Sequence, residues 1–262
     1  MLPNVKKAKA TIGILAVFSA LTLSACSGGG GGGGSSASSG SSATELKPGV
    51  YDIGRLFSNG STKEGLSLIS PTGKFVANLD SKSFTFGNIV FSASGTISGA
   101  VVEYILGPPW ELTNGTLSGQ VVSSEEANLG AQNGNLSTNS VLLRKPEFSD
   151  SSTSFEKMDA TYFMSDPSDT AAITIAPDGS LEGTDQLDCT FSGQIVIPDK
   201  NINVFEVTYT ASLCAEDPDE QALPDDRNGE FSGLGFLSPS GDEIIFYSRN
   251  DFVAWMFKGT RQ

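Results

Sequence analysis

The feature that most constrains the fold is a regular alternation of short strand-like runs with turn-forming residues. From Glu45 onward, Gly, Pro, Asn or Asp interrupts the chain roughly every 8–12 residues. Runs such as Ile173-Thr174-Ile175 place apolar residues at alternate positions. A period of two is typical of a strand with one buried face, and many short strands at this spacing indicate an antiparallel sandwich or barrel. The chain is therefore predicted to be all-β.

Recurring turns indicate a duplicated, hairpin-rich unit. Residues 70–73 (Ser-Pro-Thr-Gly), 176–179 (Ala-Pro-Asp-Gly) and 238–241 (Ser-Pro-Ser-Gly) share a pattern in which Pro presets φ and Gly relieves a left-handed position. An aromatic residue lies upstream of each turn, and the run Thr85-Phe86 resembles Thr190-Phe191 further along. We interpret this as two β halves, residues 46–147 and 148–262. Whether they form one closed barrel or two lobes stays open at this point.

The N-terminus has the layout of a secretory signal peptide over residues 1–25. Lys6, Lys7 and Lys9 precede an apolar run over residues 12–23. A membrane-spanning helix is the alternative, but the run is shorter than the roughly 20 apolar residues that a bilayer requires. The tetrapeptide Leu23-Ser24-Ala25-Cys26 resembles the bacterial lipobox. That resemblance implies that Cys26 becomes the first mature residue, that it carries several acyl chains (palmitate among them), and that it anchors the protein in a membrane.

Residues 26–45 are expected to form a flexible tether. Residues 28–34 are all Gly and residues 35–42 are mostly Ser, so this stretch has no side chains with which to build a core. A tether of this length has an end-to-end distance of roughly 20–25 Å. Cys26 followed by polyglycine is similar to surface lipoproteins of Gram-negative pathogens, such as the factor H-binding and transferrin-binding lipoproteins. Ser27 in place of Asp implies, by the same resemblance, export to the outer membrane.

Most of residues 155–262 also resembles a broad set of uncharacterised proteobacterial all-β lipoproteins. The segments that carry this resemblance are Asp188-Cys189-Thr190-Phe191-Ser192-Gly193 and Gly229-Glu230-Phe231-Ser232-Gly233-Leu234. It supports a duplicated β architecture and supplies no activity.

Cys189 and Cys214 remain once Cys26 is set aside, and an even pair in an exported protein predicts a disulfide. A metal or redox pair is the alternative, but it lacks the short spacing and the histidines that such sites use. A loop of about 25 residues closed in this way gains about 3 kcal/mol in the chain-entropy model.

The charge of the exported chain argues against nucleic acid as a partner. Of its 16 basic residues three lie in the signal peptide, which leaves 13 against 30 acidic residues and a formal charge of −17. Nucleic acid and anionic lipid headgroups both need a basic footprint.

The chain contains no histidine, which excludes a Ser-His-Asp triad and a zinc site built on His. Ser154 and Lys157 have the Ser-x-x-Lys spacing of some serine acylases, but the companion motifs of that class are missing. The acidic segment over residues 216–220 and 225–230 fails the EF-hand pattern, because Pro224 and Gly235 fall at ligand positions. A less regular calcium site is the alternative. We expect a solvated loop there, no metal and no cofactor.

Trp110 is the one candidate binding residue. It follows Pro108 and Pro109 in a turn-like setting, where an aromatic side chain could lie on a rim and contact a ligand. Trp255 alternates with Val253 and Phe257, which is typical of a core position.

These observations favour an outer-membrane lipoprotein that is a non-enzymatic binding module for a protein or envelope ligand. One alternative is a periplasm-facing structural or assembly lipoprotein. A carboxylate-based enzyme acting on envelope polymers is the third hypothesis, although no sequence feature selects a pair of carboxylates.

Overall fold

The computed structural model describes residues 45–80, 82–107, 109–133, 136–166, 169–215 and 224–262. The signal peptide, Cys26 and the tether as far as residue 44 lie outside the described residues.

The described residues form two closed, antiparallel, eight-stranded barrels, and the all-β prediction is confirmed. In each barrel every strand pairs with the next along the chain and the last pairs with the first, through β1–β8 and β9–β16. The first barrel contains β1 Gly49–Phe57, β2 Thr62–Ile69, β3 Lys74–Asp80, β4 Ser83–Phe91, β5 Thr96–Ile105, β6 Glu111–Ser123, β7 Glu126–Asn133 and β8 Leu136–Arg144. The second contains β9 Ala160–Asp166, β10 Asp169–Ile175, β11 Ser180–Asp185, β12 Thr190–Val196, β13 Phe205–Ser212, β14 Gly229–Leu237, β15 Glu243–Arg249 and β16 Ala254–Arg261.

Within the described residues, three one-turn helices accompany the strands: α1 Pro146–Ser149 and α2 Phe155–Met158 in the connection between the barrels, and α3 Pro224–Arg227 before β14. Arg144, at the end of the first barrel, forms a two-pronged ion pair with Asp150 at 2.6 and 3.1 Å. The connection between the barrels covers residues 145–159.

Side-chain alternation builds a separate core inside each barrel. In β13, Phe205, Val207, Tyr209 and Ala211 point inward and are buried, whereas Thr208 and Thr210 are exposed. The interior of the second barrel is rich in aromatic rings, and Tyr209 and Phe231 stack at a centroid distance of 5.1 Å. Trp255 packs against this core, as its alternation predicts.

A third apolar cluster lies between the outer faces of the two barrels. Phe84, Phe86 and Tyr104 of the first barrel pack with Phe236 and Tyr247 of the second. The Tyr104 hydroxyl also donates a hydrogen bond to the Asn250 carbonyl at 2.6 Å. The two barrels therefore share a buried aromatic interface.

The repeated turns are structurally equivalent in the two barrels. Gly73 and Gly179 have φ of 86° and 83°, and their carbonyls accept hydrogen bonds of 2.8 Å from the amides of Ile89 and Ile195. The same 106 positions separate Gly73 from Gly179 and Ile89 from Ile195. Residues 92–95, Ser-Ala-Ser-Gly, form the same turn without a proline, so the sequence pattern missed it.

One landmark of the sequence comparison does not hold. The similarity of Thr85-Phe86 to Thr190-Phe191 pairs Phe86 with Phe191. However, the Phe86 side chain is on the outer face of the first barrel, in the shared interface, whereas the Phe191 side chain is in the interior of the second barrel. Their spacing is one residue short of 106, and a shift of one residue moves a strand side chain to the other face.

The predicted disulfide is confirmed. Cys189 and Cys214 are bonded, which joins the β11–β12 connection to the segment after β13.

Candidate functional site

The first barrel carries an open groove at the end where β1 begins. Its volume is about 410 Å³, and it lies between the turn at residues 70–73, residues 89–93, and Glu45, Leu46 and Pro48. Pockets for small ligands usually have volumes of roughly 300–1,000 Å³. The groove is therefore large enough to hold a side chain of a partner or a small molecule.

The segment ahead of β1 forms one wall of the groove. Leu46 is buried and packs into the interior of the first barrel. The Lys47 amide donates to the Ser124 carbonyl at 2.9 Å, and the Tyr51 hydroxyl bonds the Lys47 carbonyl. The entering chain is thus fixed across the barrel end.

The opposite wall of the groove is the turn at residues 70–73, and a residue of the second barrel, Glu206, fixes this turn in place. The Glu206 carboxylate accepts hydrogen bonds from the hydroxyls of Ser70, at 2.7 Å, and Thr72, and pairs with the Lys74 ammonium. Burial raises the pKa of Glu206, but the hydrogen bonds from Lys74, Thr72 and Ser70 outweigh it and hold the pKa below its ordinary value of 4.5. Glu206 is therefore charged near neutral pH and keeps the turn in place.

The second barrel has an equivalent corner, formed by the turn at residues 176–179 and its flanking strands, and there a side chain covers it. A Cβ added to Gly179 would lie 2.6 Å from Cε1 of Phe155, on α2. A Cβ added to Gly73 would meet the Ile89 carbonyl oxygen at 2.8 Å, and no side chain of the described residues, its chain neighbours aside, lies within 4 Å. The flanking valines are exposed in both cases, Val90 by 64% and Val196 by 54%. The groove is thus open at Gly73, whereas a phenyl ring occupies the equivalent place at Gly179.

Sequence analysis missed this groove, although a signal was present. Phe155 stands seven positions ahead of Tyr162, and the residue seven positions ahead of Tyr51 is Thr44. Aligning the segments that precede β1 and β9 would have shown an aromatic residue seven positions ahead of the tyrosine in one and none in the other.

Trp110, the predicted binding residue, is half-buried beside the interface between the barrels. Its ring centroid lies 6.2 Å from that of Phe84. This packing gives the side chain a structural role, and ligand binding by Trp110 stays a prediction.

The other chemical motifs are not assembled into a site in the described structure. The Lys157 ammonium bonds the Ser152 hydroxyl at 2.7 Å rather than Ser154. Within the described residues, no group of three or more His, Cys, Asp or Glu could hold a metal ion. Residues 216–223 of the acidic segment lie outside the described residues. Arg227, which follows them, pairs with the buried Asp185 at 2.6 Å.

No family model matches the chain, and no curated protein or solved structure shows a significant match. In the described part of the chain, no helix combines the length and apolar character needed to cross a membrane.

Proposed function

We propose that this chain is a non-enzymatic binding module, held at the outer membrane through acylated Cys26, whose groove receives an aromatic side chain of a partner protein. The observation that carries the proposal is the pair of equivalent corners, one open at Gly73 and one filled by Phe155 at Gly179. Because the turns and their flanking residues are alike, the chemistry that accommodates a phenyl ring in the second barrel is present in the first.

The groove is formed before any partner arrives. Leu46 is buried in one wall, and hydrogen bonds to Glu206 fix the other. A preformed groove avoids much of the ordering cost that association otherwise carries. This rigidity suits a recognition site.

The lining of the groove suits binding rather than catalysis. Its side chains in the described structure are aliphatic, aromatic or hydroxyl-bearing, and Glu45 is the one ionisable group among them. General acid–base catalysis needs positioned proton donors and acceptors, whereas a docking pocket needs apolar walls with a few polar groups.

The chain itself provides a probe for the groove. A fluorescein-labelled peptide of residues 150–160, which contains Phe155, is titrated into the full chain and followed by fluorescence anisotropy. We expect saturable binding that weakens at least tenfold in Val90→Arg, because the new side chain fills the groove. Val196→Arg is the matched control at the equivalent position of the second barrel, and it should bind as the unmodified protein does.

The peptide with alanine in place of Phe155 tests the aromatic requirement. Equal binding of the two peptides, or unchanged binding in Val90→Arg, would show that the groove is not an aromatic pocket.

Protease treatment of intact cells tests the side of the membrane on which the module faces. Loss of the domain in intact cells places it outside and directs the search to environmental or host proteins. Survival until the cells are permeabilised favours the alternative of a periplasmic assembly lipoprotein.

A further inference from the structure

The open groove of the first barrel and the covered corner of the second differ in three respects that bear on the ring each one accepts. The two can be compared residue by residue, because the register pair Lys74–Asn88 at the groove and the pair Ser180–Gln194 at the covered corner are 106 positions apart, as their turn glycines are. Each difference therefore reports a change in the groove relative to a corner that already holds a phenyl ring.

The first difference is the length of an amide side chain. In the second barrel the Gln194 amide reaches the turn, where it donates a hydrogen bond to the Asp178 carbonyl at 2.9 Å. A Cβ added to Gly179 would lie 2.8 Å from this amide nitrogen. Asn88, at the equivalent position of the first barrel, is exposed and one methylene shorter, and no atom of it lies within 4 Å of a Cβ added to Gly73. The space beside Gly73 therefore lacks the amide as well as the phenyl ring.

The second difference is an aromatic wall. Phe91 lines the groove, whereas Ile197 stands at the equivalent position of the second barrel. The Phe91 side chain is partly buried and packs against the core of the first barrel, which holds its ring in place. Paired aromatic rings gain more than their buried area alone provides. The groove thus presents a ring where the covered corner has an aliphatic side chain.

The third difference is a free carboxylate. Glu45 is exposed and lines the groove, and within the described residues its carboxylate forms no hydrogen bond or ion pair. The ring of Phe155, which fills the covered corner, has no polar atom to offer such a group. An indole ring carries one N–H donor and no acceptor, so it complements a carboxylate.

We infer that the groove selects a tryptophan side chain of the partner protein over a phenylalanine side chain. The short Asn88 side chain leaves room for the larger ring, the Phe91 ring packs against it, and the Glu45 carboxylate accepts a hydrogen bond from its N–H. This inference rests on the proposed function of the groove as an aromatic pocket, and it adds the identity of the ring and the residues that select it.

The test compares peptides of residues 150–160 that differ only at position 155, titrated into the full chain and followed by fluorescence anisotropy. The Phe155→Trp peptide should bind at least tenfold more tightly than the peptide with Phe155, because the larger ring fills space that phenyl leaves empty. Equal or weaker binding of the Phe155→Trp peptide overturns the inference and leaves the aromatic pocket standing. If neither peptide binds more tightly than Phe155→Ala, the aromatic pocket itself is wrong and the inference fails with it.

Asn88→Gln restores the amide that the second barrel has at residue 194. The affinity of the Phe155→Trp peptide should fall at least tenfold, whereas that of the Phe155 peptide should change less than twofold, because the second barrel accommodates phenyl and Gln194 together. Gln194→Asn is the matched control at the covered corner and should leave both affinities unchanged. Asn88 is exposed, so an unchanged melting temperature is expected and shows that the variant is folded. Equal losses for the two peptides, or no loss, overturn the assigned role of Asn88.

Glu45→Ala tests the hydrogen bond to the indole. It should weaken the Phe155→Trp peptide at least fivefold, while a peptide with 1-methyltryptophan, which has no N–H, changes less than twofold. Glu125→Ala is the control, because it removes the same charge from a carboxylate that pairs with Lys47 and does not line the groove. Equal losses for the two tryptophan peptides, or an equal effect of Glu125→Ala, show that Glu45 does not accept the indole hydrogen bond.

Discussion

Lys74 of the first barrel and Glu206 of the second form an ion pair, with 2.5 Å between Nζ and Oε2, that joins the barrels beside the groove. The Glu206 side chain is 11% exposed, whereas that of Lys74 is 44% exposed. The pair therefore lies at the edge of the shared interface, where solvent screens it in part.

Replacing Glu206 tests how this contact depends on pH. The pKa of Glu206 is lowered in the folded protein, so the unfolded chain binds more protons at acidic pH. The stabilisation that charged Glu206 gives the folded protein is complete above the ordinary pKa of 4.5, and it is lost as the pH falls through the lower pKa of the folded state. Glu206→Gln should cost about 1 kcal/mol at pH 7 and much less at pH 3, as measured by urea unfolding. The control is Glu182→Gln, at an exposed position of β11. If the cost of Glu206→Gln did not depend on pH, the stabilising role assigned to the Glu206 charge would be wrong.

The aromatic interface predicts a large effect of removing one of its rings. Phe84 is 3% exposed and lies 6.2 Å, between ring centroids, from both Trp110 and Tyr247. Phe84→Ala should lower the free energy of unfolding by about 3–5 kcal/mol, since it leaves a cavity between the barrels. Phe163→Ala, at an outer position that is 43% exposed, should cost less than about 1 kcal/mol. Similar costs for the two would mean that the interface contributes little.

Removal of the disulfide should destabilise the second barrel. The Cys189–Cys214 bond closes a separation of 25 residues, for which the chain-entropy model gives about 3 kcal/mol. The double substitution Cys189→Ser with Cys214→Ser should lower the melting temperature, and adding a reductant to the unmodified protein should have the same effect. A reductant that lowers the melting temperature of the double variant as well would point to another cause.

Cys26 is expected to carry the whole membrane attachment. Cys26→Ala should move the protein from the membrane fraction to the soluble fraction and abolish incorporation of labelled palmitate. Ser27→Ala is the neighbouring control and should stay with the membranes. A Cys26→Ala protein that remains in the membrane fraction would contradict the lipoprotein assignment.

The sequence predicted the fold class well, because alternation and turn chemistry are local properties. Residues 70–73 and 176–179 identify their hairpins through Pro and Gly alone. Closure is different: the pairing of Tyr51 with Arg144 depends on the tilt and register of all the intervening strands. No local pattern reports that, so the sequence alone does not decide between one barrel and two.

The candidate sites were harder to predict for a related reason. Phe84 and Phe191 alternate in the same way along their strands, yet one faces the neighbouring barrel and the other faces a lumen. Arg55 appears in the sequence as an ordinary polar position of β1, and only the barrel brings it opposite Glu103. Sites made by closure and by packing between repeats depend on residues far apart in sequence, and a single sequence does not reveal which ones meet.

The strand order has a consequence for the timing of folding. Because each barrel uses one uninterrupted stretch of chain, the first can close its last ladder once residue 144 is available, before the second begins at residue 160. A chain that folds as it appears, N-terminus first, would then pass through a stage in which the first barrel is closed but the second is absent. At that stage Phe84, Phe86 and Tyr104 lie on the outer surface of the first barrel with nothing to cover them. Exposed aromatic surface of this kind promotes aggregation. The interval between the closure of the first barrel and the arrival of the second is therefore the stage at which a chaperone would protect this protein most.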